Sequence, residues 1–318
     1  MSISASDVKF FKAATNNNTD SNGGVISSTR ITTNVLNNLF PNVSNTDRTA
    51  GVTRYRKLFM KNDFSGELAL RNPKIWIGSK STSEDYFRLK AGTDTDIQST
   101  ADDYTNWAGT GLLASGVGSG ESTLLVDFDA ANGVYDGSAI HVDDGSNEED
   151  LDVLTVSWAS LQATVTISGE LDNSYVATTT VVSTMLEPDD LEAESGSWTE
   201  SGSGTYDESA YPLTMYAKGT VTDTWTLTFT DASNFGVVGT STGSVGSGDI
   251  SADFQPPNGE SYYFKLDYEG WGGTWAAGEY VTFATTQAAQ GVWVKEVVPA
   301  ASASASNTVR LDWAGESA

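Results

Sequence analysis

Residues 224–230 have the sequence Thr-Trp-Thr-Leu-Thr-Phe-Thr, which places Trp225, Leu227 and Phe229 on one side of an extended chain and threonines on the other. This alternation is typical of a strand with one buried face and one wet face. Related patterns recur at residues 262–266, 280–285 and 292–298, and glycines in residues 270–275 supply turns between them. The carboxyl-terminal part of the chain is therefore predicted to form β-sheet.

The composition favours an all-β fold throughout. Gly, Ser, Thr, Asp and Asn are abundant, whereas helix-forming Lys and Glu are not. The length of 318 residues is about twice that of a usual domain. We predict β-sandwich-type domains with an inserted small β-barrel and one short helix near the amino terminus. The expected domains are a β-rich docking domain at 1–108, completed by carboxyl-terminal strands, the barrel at 109–187, and a β-sandwich at 188–318.

The first 90 residues carry the predicted helix. Ile31, Val35 and Leu39 have helical spacing, the hydroxyl residues 27–29 could cap the amino end, and Pro41 would end the helix. Strands are predicted at residues 7–12, 54–61 and 68–77. Pro73 within the last of these predicts a bulge or an edge position, because proline cannot donate to a sheet ladder.

The middle of the chain predicts a separate barrel. Five short strands, at residues 122–128, 139–142, 151–158, 163–167 and 175–185, lie between the glycines of 109–111 and Pro188. An acidic turn at 143–150 would join two of them. Residues 187–209 are acidic and rich in Gly and Ser, which predicts a linker or long loop, and residues 300–306 predict a low-complexity link to a last strand at 308–313.

Charge is divided unevenly along the chain. Residues 1–90 hold 13 Lys and Arg against 7 Asp and Glu (+6), and the remainder holds 4 against 35 (−31), which sums to the net charge of −25. The acidic bulk argues against nucleic-acid binding. A basic segment on an acidic body suggests docking onto an acidic partner, although a merely solvated basic surface is the alternative interpretation.

Arg54, Arg56 and Lys57 are the residues that we expect to dock. Three charges within four positions of a strand reach both faces, so at least one should project outward. The absence of Cys excludes disulfides and thiolate metal sites. No run approaches the roughly 18 apolar residues of a membrane span, and Met1 is not followed by a leader pattern. We therefore expect no membrane partner and synthesis in a bacterial cytoplasm.

Candidate chemistry is sparse. His141 is the only histidine, its neighbours Ile140 and Val142 place it in a strand, and no Gly-x-Ser-x-Gly elbow is present. Acidic turns at 94–96, 127–129 and 143–150 carry the oxygen ligands that Ca²⁺ favours, but none fits the twelve-residue calcium loop. We expect no catalytic residue, no bound metal and no cofactor.

Tryptophans offer a different candidate site. Trp271 and Trp275 lie among glycines and are the best candidates for exposed rings on which a sugar could stack. Trp225 and Trp293 occupy inward strand positions and are predicted to be core residues.

Five segments resemble a family of structural proteins from tailed bacteriophages. Residues 23–29 (GGVISST), 36–44 (LNNLFPNVS) and 53–62 (TRYRKLFMKN) are similar to the opening of these proteins, and residues 271–278 (WGGTWAAG) and 292–300 (VWVKEVVPA) to their closing segment. Small β-barrels of similar shape are often inserted in phage structural proteins. The resemblance implies a role in virion assembly.

We therefore expect a non-enzymatic structural component of a tailed-phage virion, located at the head–tail neck, the tail or baseplate, or the capsid. Its partners would be other virion proteins and further copies of itself in a symmetric assembly, reached through the basic segment 1–90. The alternative is a carbohydrate- or receptor-binding module at the tail tip that uses Trp271 and Trp275. A virion-associated hydrolase is a third interpretation, for which no nucleophile or base is recognisable.

Overall fold

The computed structural model describes residues 2–303 and 308–318, and nearly all of its regular structure is strand. The strands are β1 Val8–Thr15, β2 Gly23–Arg30, β3 Val52–Asn62, β4 Leu70–Ile77, β5 Tyr86–Ala91, β6 Thr110–Leu113, β7 Thr123–Phe128, β8 Ala139–Asp143, β9 Glu148–Ala159, β10 Gln162–Ile167, β11 Val181–Met185, β12 Glu194–Glu200, β13 Gly204–Tyr206, β14 Asp223–Phe229, β15 Asn234–Gly239, β16 Gly243–Asp249, β17 Pro257–Asn258, β18 Ser261–Tyr262, β19 Trp271–Gly273, β20 Tyr280–Thr286, β21 Ala289–Val298 and β22 Leu311–Ser317. The helices are α1 Asn45–Ala50 and α2 Gln98–Ala101, with a single 3-10 turn at Tyr268–Gly270. The all-β class is confirmed.

The first sheet joins the two ends of the chain. Its five strands run in the order β2-β1-β3-β21-β5. β21 pairs with β3 along its whole length, from Ala289 opposite Lys61 to Val298 opposite Val52, and its other edge pairs with β5. The sheet that holds the basic segment is therefore completed by a strand from near the carboxyl terminus.

A closed barrel of six strands occupies the middle of the chain, in the order β10-β7-β6-β11-β8-β9. Leu124, Val126 and Phe128 alternate inward from β7 and pack with inward residues of the other strands. The predicted small barrel is thus present. It contains one strand, β6, that the sequence did not predict. There Gly111 allows β7 to approach, because an added Cβ would lie 2.7 Å from the carbonyl oxygen of Asp127.

The second sheet has the order β12-β20-β14-β15-β16 and is centred on the stretch that suggested the fold. Trp225, Leu227 and Phe229 of β14 are buried, whereas the alternate threonines are exposed or half-buried, as predicted. Segments between β13 and β19 cover the buried face with aromatic side chains such as Phe254 and Phe264.

A two-stranded ribbon of β4 and β22 lies beside the barrel. Between the pairs Lys74–Ala314 and Arg71–Glu316, β4 has one residue more than β22. Pro73 lies in this irregular stretch, so the predicted bulge is confirmed. Trp76 of β4 packs against Ala139 and Met185 of the barrel. Isolated backbone bridges join β4 to Leu186 and Leu191, where the chain leaves the barrel.

The helix predicted over residues 31–39 is wrong. This segment has no regular structure, and Asn34 and Asn37 adopt positive φ angles of 61° and 57°, which interrupt any helix. Ile31 and Leu39 pack on the core of the first sheet while Val35 and Leu36 are 53% and 81% exposed, so the apolar residues do not form one buried helical face. The short amino-terminal helix is instead α1, capped by Ser44.

The linker predicted over residues 187–209 is wrong as well. β12 and β13 form there, and β12 pairs with β20 at the edge of the second sheet. Trp198 stacks on Phe283 at 5.3 Å between ring centroids. β12 is an edge strand that is largely exposed to solvent, so it needs few apolar residues. Its composition therefore resembles that of a linker. The strand predicted at 262–266 shrinks to β18 plus isolated bridges, and part of the link predicted at 300–306 lies outside the described residues.

A cationic pocket as the candidate functional site

The three basic residues predicted to dock lie inside the molecule. Arg54, Arg56 and Lys57 are only 5%, 3% and 2% exposed. β3 is an inner strand with neighbours on both edges, and packed side chains cover both of its faces. The prediction assumed that one face of this strand meets solvent, and the expectation that at least one of the three side chains projects outward is therefore wrong.

The two arginines on β3 have internal partners. Arg54 Nε donates to Glu296 Oε2 at 2.6 Å, directly across from it on β21. Arg56 donates to the carbonyl oxygen of Asn17 and to Oδ1 of Asn18 in the loop after β1. The Phe40 ring lies 5.5 and 5.4 Å from the two guanidinium carbons. Both arginines therefore hold surrounding segments against the sheet.

Lys57 belongs to a buried ionic cluster on the opposite face of β3. Its Nζ lies 2.6 Å from Asp96 Oδ1 and donates to the carbonyl oxygen of Gly24 at 2.8 Å. Asp96 Oδ2 also accepts from Tyr104 Oη at 2.6 Å and from Trp293 Nε1 at 2.7 Å. Burial alone would raise the pKa of Asp96, but the hydrogen bonds from Lys57, Tyr104 and Trp293 bring it below its ordinary value.

The same face of the first sheet carries a pocket next to this cluster. Tyr55, Lys295 and Arg88 form one cross-strand row on β3, β21 and β5, and Thr53, Val297 and Tyr86 form the next. A cavity of about 260 Å³ lies over the two rows, with barrel residues 130–131 at its rim. We call this cavity and its six sheet residues the cationic pocket.

Two positive charges lie in the cationic pocket without a carboxylate in contact, although Asp102 and Asp129 favour the charged forms of Lys295 and Arg88 from a distance. Lys295 Nζ is 3.9 Å from the centre of the Trp107 ring, and no carboxylate oxygen of the described chain lies within 4.0 Å of it. Arg88 donates to two neutral acceptors, the carbonyl oxygens of Ala131 and Asn132. Like charges at directly opposite positions of paired strands repel each other, so this arrangement costs stability.

The electrostatics of the pocket follow from burial. Burial, and after it the neighbouring Arg88, lowers the pKa of Lys295 from 10.5 to about 8. Burial also lowers the pKa of the Arg88 guanidinium. Lys295 still carries its proton at neutral pH. An anionic group placed over the two rows would meet both cations and relieve their repulsion.

The exposure predicted for Trp275 is wrong, and Trp271 is only partly exposed. Trp275 is 2% exposed and stacks on Phe229, with ring centroids 4.2 Å apart and planes 6° apart. Trp271 is half-buried and meets both of these rings edge-on. Gly204 leaves the space for this packing, since a Cβ there would lie 2.0 Å from the Trp275 ring. The prediction that Trp225 and Trp293 are core residues is confirmed.

His141 and the acidic turns have structural partners. The His141 ring lies 4.4 Å from the Trp76 ring, and its Nδ1 is 2.8 Å from Asp150 Oδ1. Asp96 is engaged by Lys57, and Asp129 lies 3.4 Å from Lys80 Nζ. Across residues 2–303 and 308–318, no three His, Asp or Glu side chains gather in a metal-binding arrangement.

Sequence reasoning missed Lys295 and Arg88. A usable signal existed for Lys295, because it is one of four Lys or Arg residues after residue 90 and it lies within the apolar strand sequence VWVKEVV. A charged side chain within such an apolar strand needs a particular partner group beside it. Arg88 gave no such signal, since it is one of 13 basic residues in the first 90.

Comparisons with protein families, with curated proteins and with solved structures found no match to this chain. Within the described residues, the short helices are neither long nor apolar enough for any of them to cross a membrane.

Proposed function

We propose that the protein is a non-enzymatic structural component of a tailed-bacteriophage virion, present in many copies at the head–tail neck, the tail or baseplate, or the capsid. The first support is the resemblance of residues 23–29, 36–44, 53–62, 271–278 and 292–300 to such proteins. The proposal assigns no catalytic residue, metal or cofactor to the chain, and its partners are other virion proteins and copies of itself.

The observation that carries the proposal is that three of these segments pack together. Gly24 accepts a hydrogen bond from Lys57, and Lys57 shares Asp96 with Trp293. Gly23 lies so close to Trp293 that an added Cβ would be 2.7 Å from the indole ring. Segments from both ends of the chain thus form one packed unit. A shared structural core would have this arrangement.

Docking by the basic segment must use residues other than the buried Arg54, Arg56 and Lys57. Reversing Arg54, Arg56 and Lys57 would place three carboxylates inside the first sheet, so such a variant would report on folding. The cationic pocket is built from β3 and β5 of the basic segment together with β21, and it is open to solvent. We propose it as the docking surface.

The protein content of purified particles tests the proposed function. We expect quantitative mass spectrometry to find the chain at a fixed ratio to the major capsid protein, unchanged by washing in high salt. Abundant host proteins in the same preparation measure carry-over. A ratio that falls with washing to the level of those host proteins would contradict the proposal.

The glycan-binding alternative lacks the Trp275 part of its expected platform. It required an exposed aromatic platform at Trp271 and Trp275, and Trp275 is packed face to face against Phe229.

A further inference from the structure

The two cations of the cationic pocket lack a carboxylate in direct contact, since Asp102 and Asp129 act on Lys295 and Arg88 only from a distance. The protein has 42 Asp and Glu residues against 17 Lys and Arg, yet no carboxylate of the described residues pairs with Lys295 or Arg88. Among the other buried cations of the same sheet, Arg54 and Lys57 each have a carboxylate partner, whereas Arg56 donates to neutral oxygens and does not line the cavity. The two unpaired cations also share one solvent-accessible cavity. An external anion is the simplest way to satisfy both.

We propose that the cationic pocket takes a carboxylate from the acidic turn, residues 143–150, of a second copy of this chain. The inference rests on the proposed assembly of many copies. A second copy is the favoured occupant because its residues 91–318 carry a net charge of −31, which complements the pocket. The acidic turn has five carboxylates within eight residues, the sequence being DDGSNEED.

Three of the five carboxylates are available to a neighbour. Asp143 and Asp144 accept hydrogen bonds only from N–H groups of their own turn. Glu148 has an exposed side chain, 77% of which is accessible. The other two, Glu149 and Asp150, are held within the chain by the loop at 172–173 and by Lys74.

The pocket has donors to spare for such a group. Arg88 uses one N–H of each terminal nitrogen on the neutral carbonyls, and a guanidinium has five N–H groups. A charge-assisted hydrogen bond from Arg or Lys to a carboxylate is stronger than one between neutral groups. The pocket and the acidic turn are different surfaces, so two arrangements satisfy the contact: a two-fold dimer in which each copy's turn enters the other's pocket, or a head-to-tail ring.

The first experiment measures binding of a blocked peptide DDGSNEED to the full chain by titration calorimetry. We expect Lys295→Gln to weaken binding at least tenfold and Lys12→Gln, on β1 of the same sheet, to leave it unchanged. A peptide with Asn and Gln in place of Asp and Glu should not bind. Binding of this amide peptide, or equal binding by Lys295→Gln, would overturn the pocket assignment. Inorganic phosphate that binds more tightly than the acidic peptide would reassign the pocket to a phosphate ligand.

The second experiment asks whether the occupant is another copy. Analytical ultracentrifugation should show self-association of the wild type that is lost in Lys295→Glu alone and in Asp144→Lys/Glu148→Lys alone. Mixing the two variants should restore association, because each interface then pairs opposite charges. Near-UV circular dichroism checks that both variants are folded.

The outcomes separate this inference from the proposed function. A mixture that stays monomeric, or a wild type that stays monomeric while the peptide binds, would overturn the second-copy occupant. Either result is compatible with the chain being found in particles. Conversely, restored association together with absence from particles would contradict the virion proposal and leave the interface in place.

Discussion

Lys57 and Asp96 illustrate how strongly one buried ion pair holds the first sheet. We predict that Lys57→Met lowers the free energy of unfolding by about 3–5 kcal/mol, because it leaves the Asp96 carboxylate buried without its cation. The double variant Lys57→Met/Asp96→Asn should recover part of this loss. Denaturant midpoints measure both effects, with Lys12→Met as a surface control expected within about 0.5 kcal/mol of wild type. A single variant as stable as the control would contradict the prediction.

Lys295 should give the stability a pH dependence of known sign. Its pKa is about 8 in the folded chain against 10.5 without the protein environment. Between these values the unfolded state binds more protons than the folded state, so stability from this residue rises with pH. Denaturant midpoints of wild type relative to Lys295→Met should therefore shift in favour of wild type from pH 8 to 10.5. A shift in the other direction would show that Lys295 is stabilised by its charge in the free protein.

The alternation of apolar and polar residues along a strand predicts the burial of some side chains correctly and of others wrongly. Trp225 and Trp293 were assigned to the core because they lie at inward positions of strands. Arg54 and Lys57 were misjudged because alternation shows that two residues point to opposite faces, but not that both faces are covered. Burial of Trp275 depends on Gly204, which is distant in sequence, so its local glycine-rich surroundings suggested exposure.

At the level of elements, β13 and β19 depend on a glycine that permits close packing. We predict that Gly204→Ala lowers the free energy of unfolding by about 1–3 kcal/mol, because its Cβ would press into the Trp275 ring stacked on Phe229. Gly196→Ala on the neighbouring β12 is the matched control, since nothing lies within 4 Å of its added Cβ. Near-UV circular dichroism should change only for Gly204→Ala, and equal effects of the two substitutions would refute the packing argument.

Most strands could be predicted from their own residues. Strands that form only because a neighbouring strand pairs with them could not. β7, β14 and β20 have apolar alternation that stands out locally. β6 and β12 are rich in glycine or polar residues and become strands because neighbours pair with them. Residues 31–39 have helical spacing, but asparagines at positive φ form turns there, and only some of the apolar side chains reach the adjacent sheet. The cationic pocket could not be predicted, because its row of residues comes from three strands far apart in the chain.

At the scale of the whole molecule, the barrel should be removable. Gly111 of β6 lies opposite Val182 of β11, so the two ends of residues 112–181 are neighbours. We predict that replacing these residues with a two-residue Asn-Gly turn leaves the first and second sheets folded, because such a turn suits paired antiparallel strands. A single cooperative transition, followed by tryptophan fluorescence, is the expected result.

The deletion should still lower stability. It removes the carbonyl groups that receive Arg88 and uncovers Trp76, which packs on Ala139 of the barrel. Arg88→Gln in the deleted chain should therefore be less harmful than in the full chain. Gradual, non-cooperative unfolding of the deleted chain would mean that the barrel and the sheets share one core.

The position of β21 in the first sheet has a consequence for synthesis on the ribosome. β3 ends at Asn62, and its partner strand β21 begins at Ala289, which is 227 residues later in the chain (289 − 62). At about 5–20 residues per second, roughly 10–45 s pass before that partner has been translated. During this time the apolar residues 58–60 can pair with β1 on one edge but lack a partner on the other. We expect Arg54, Arg56 and Lys57 to keep these open edges of nascent chains apart by mutual repulsion. A chain ended at residue 288 should accordingly stay soluble longer than the same fragment with these three residues changed to Gln.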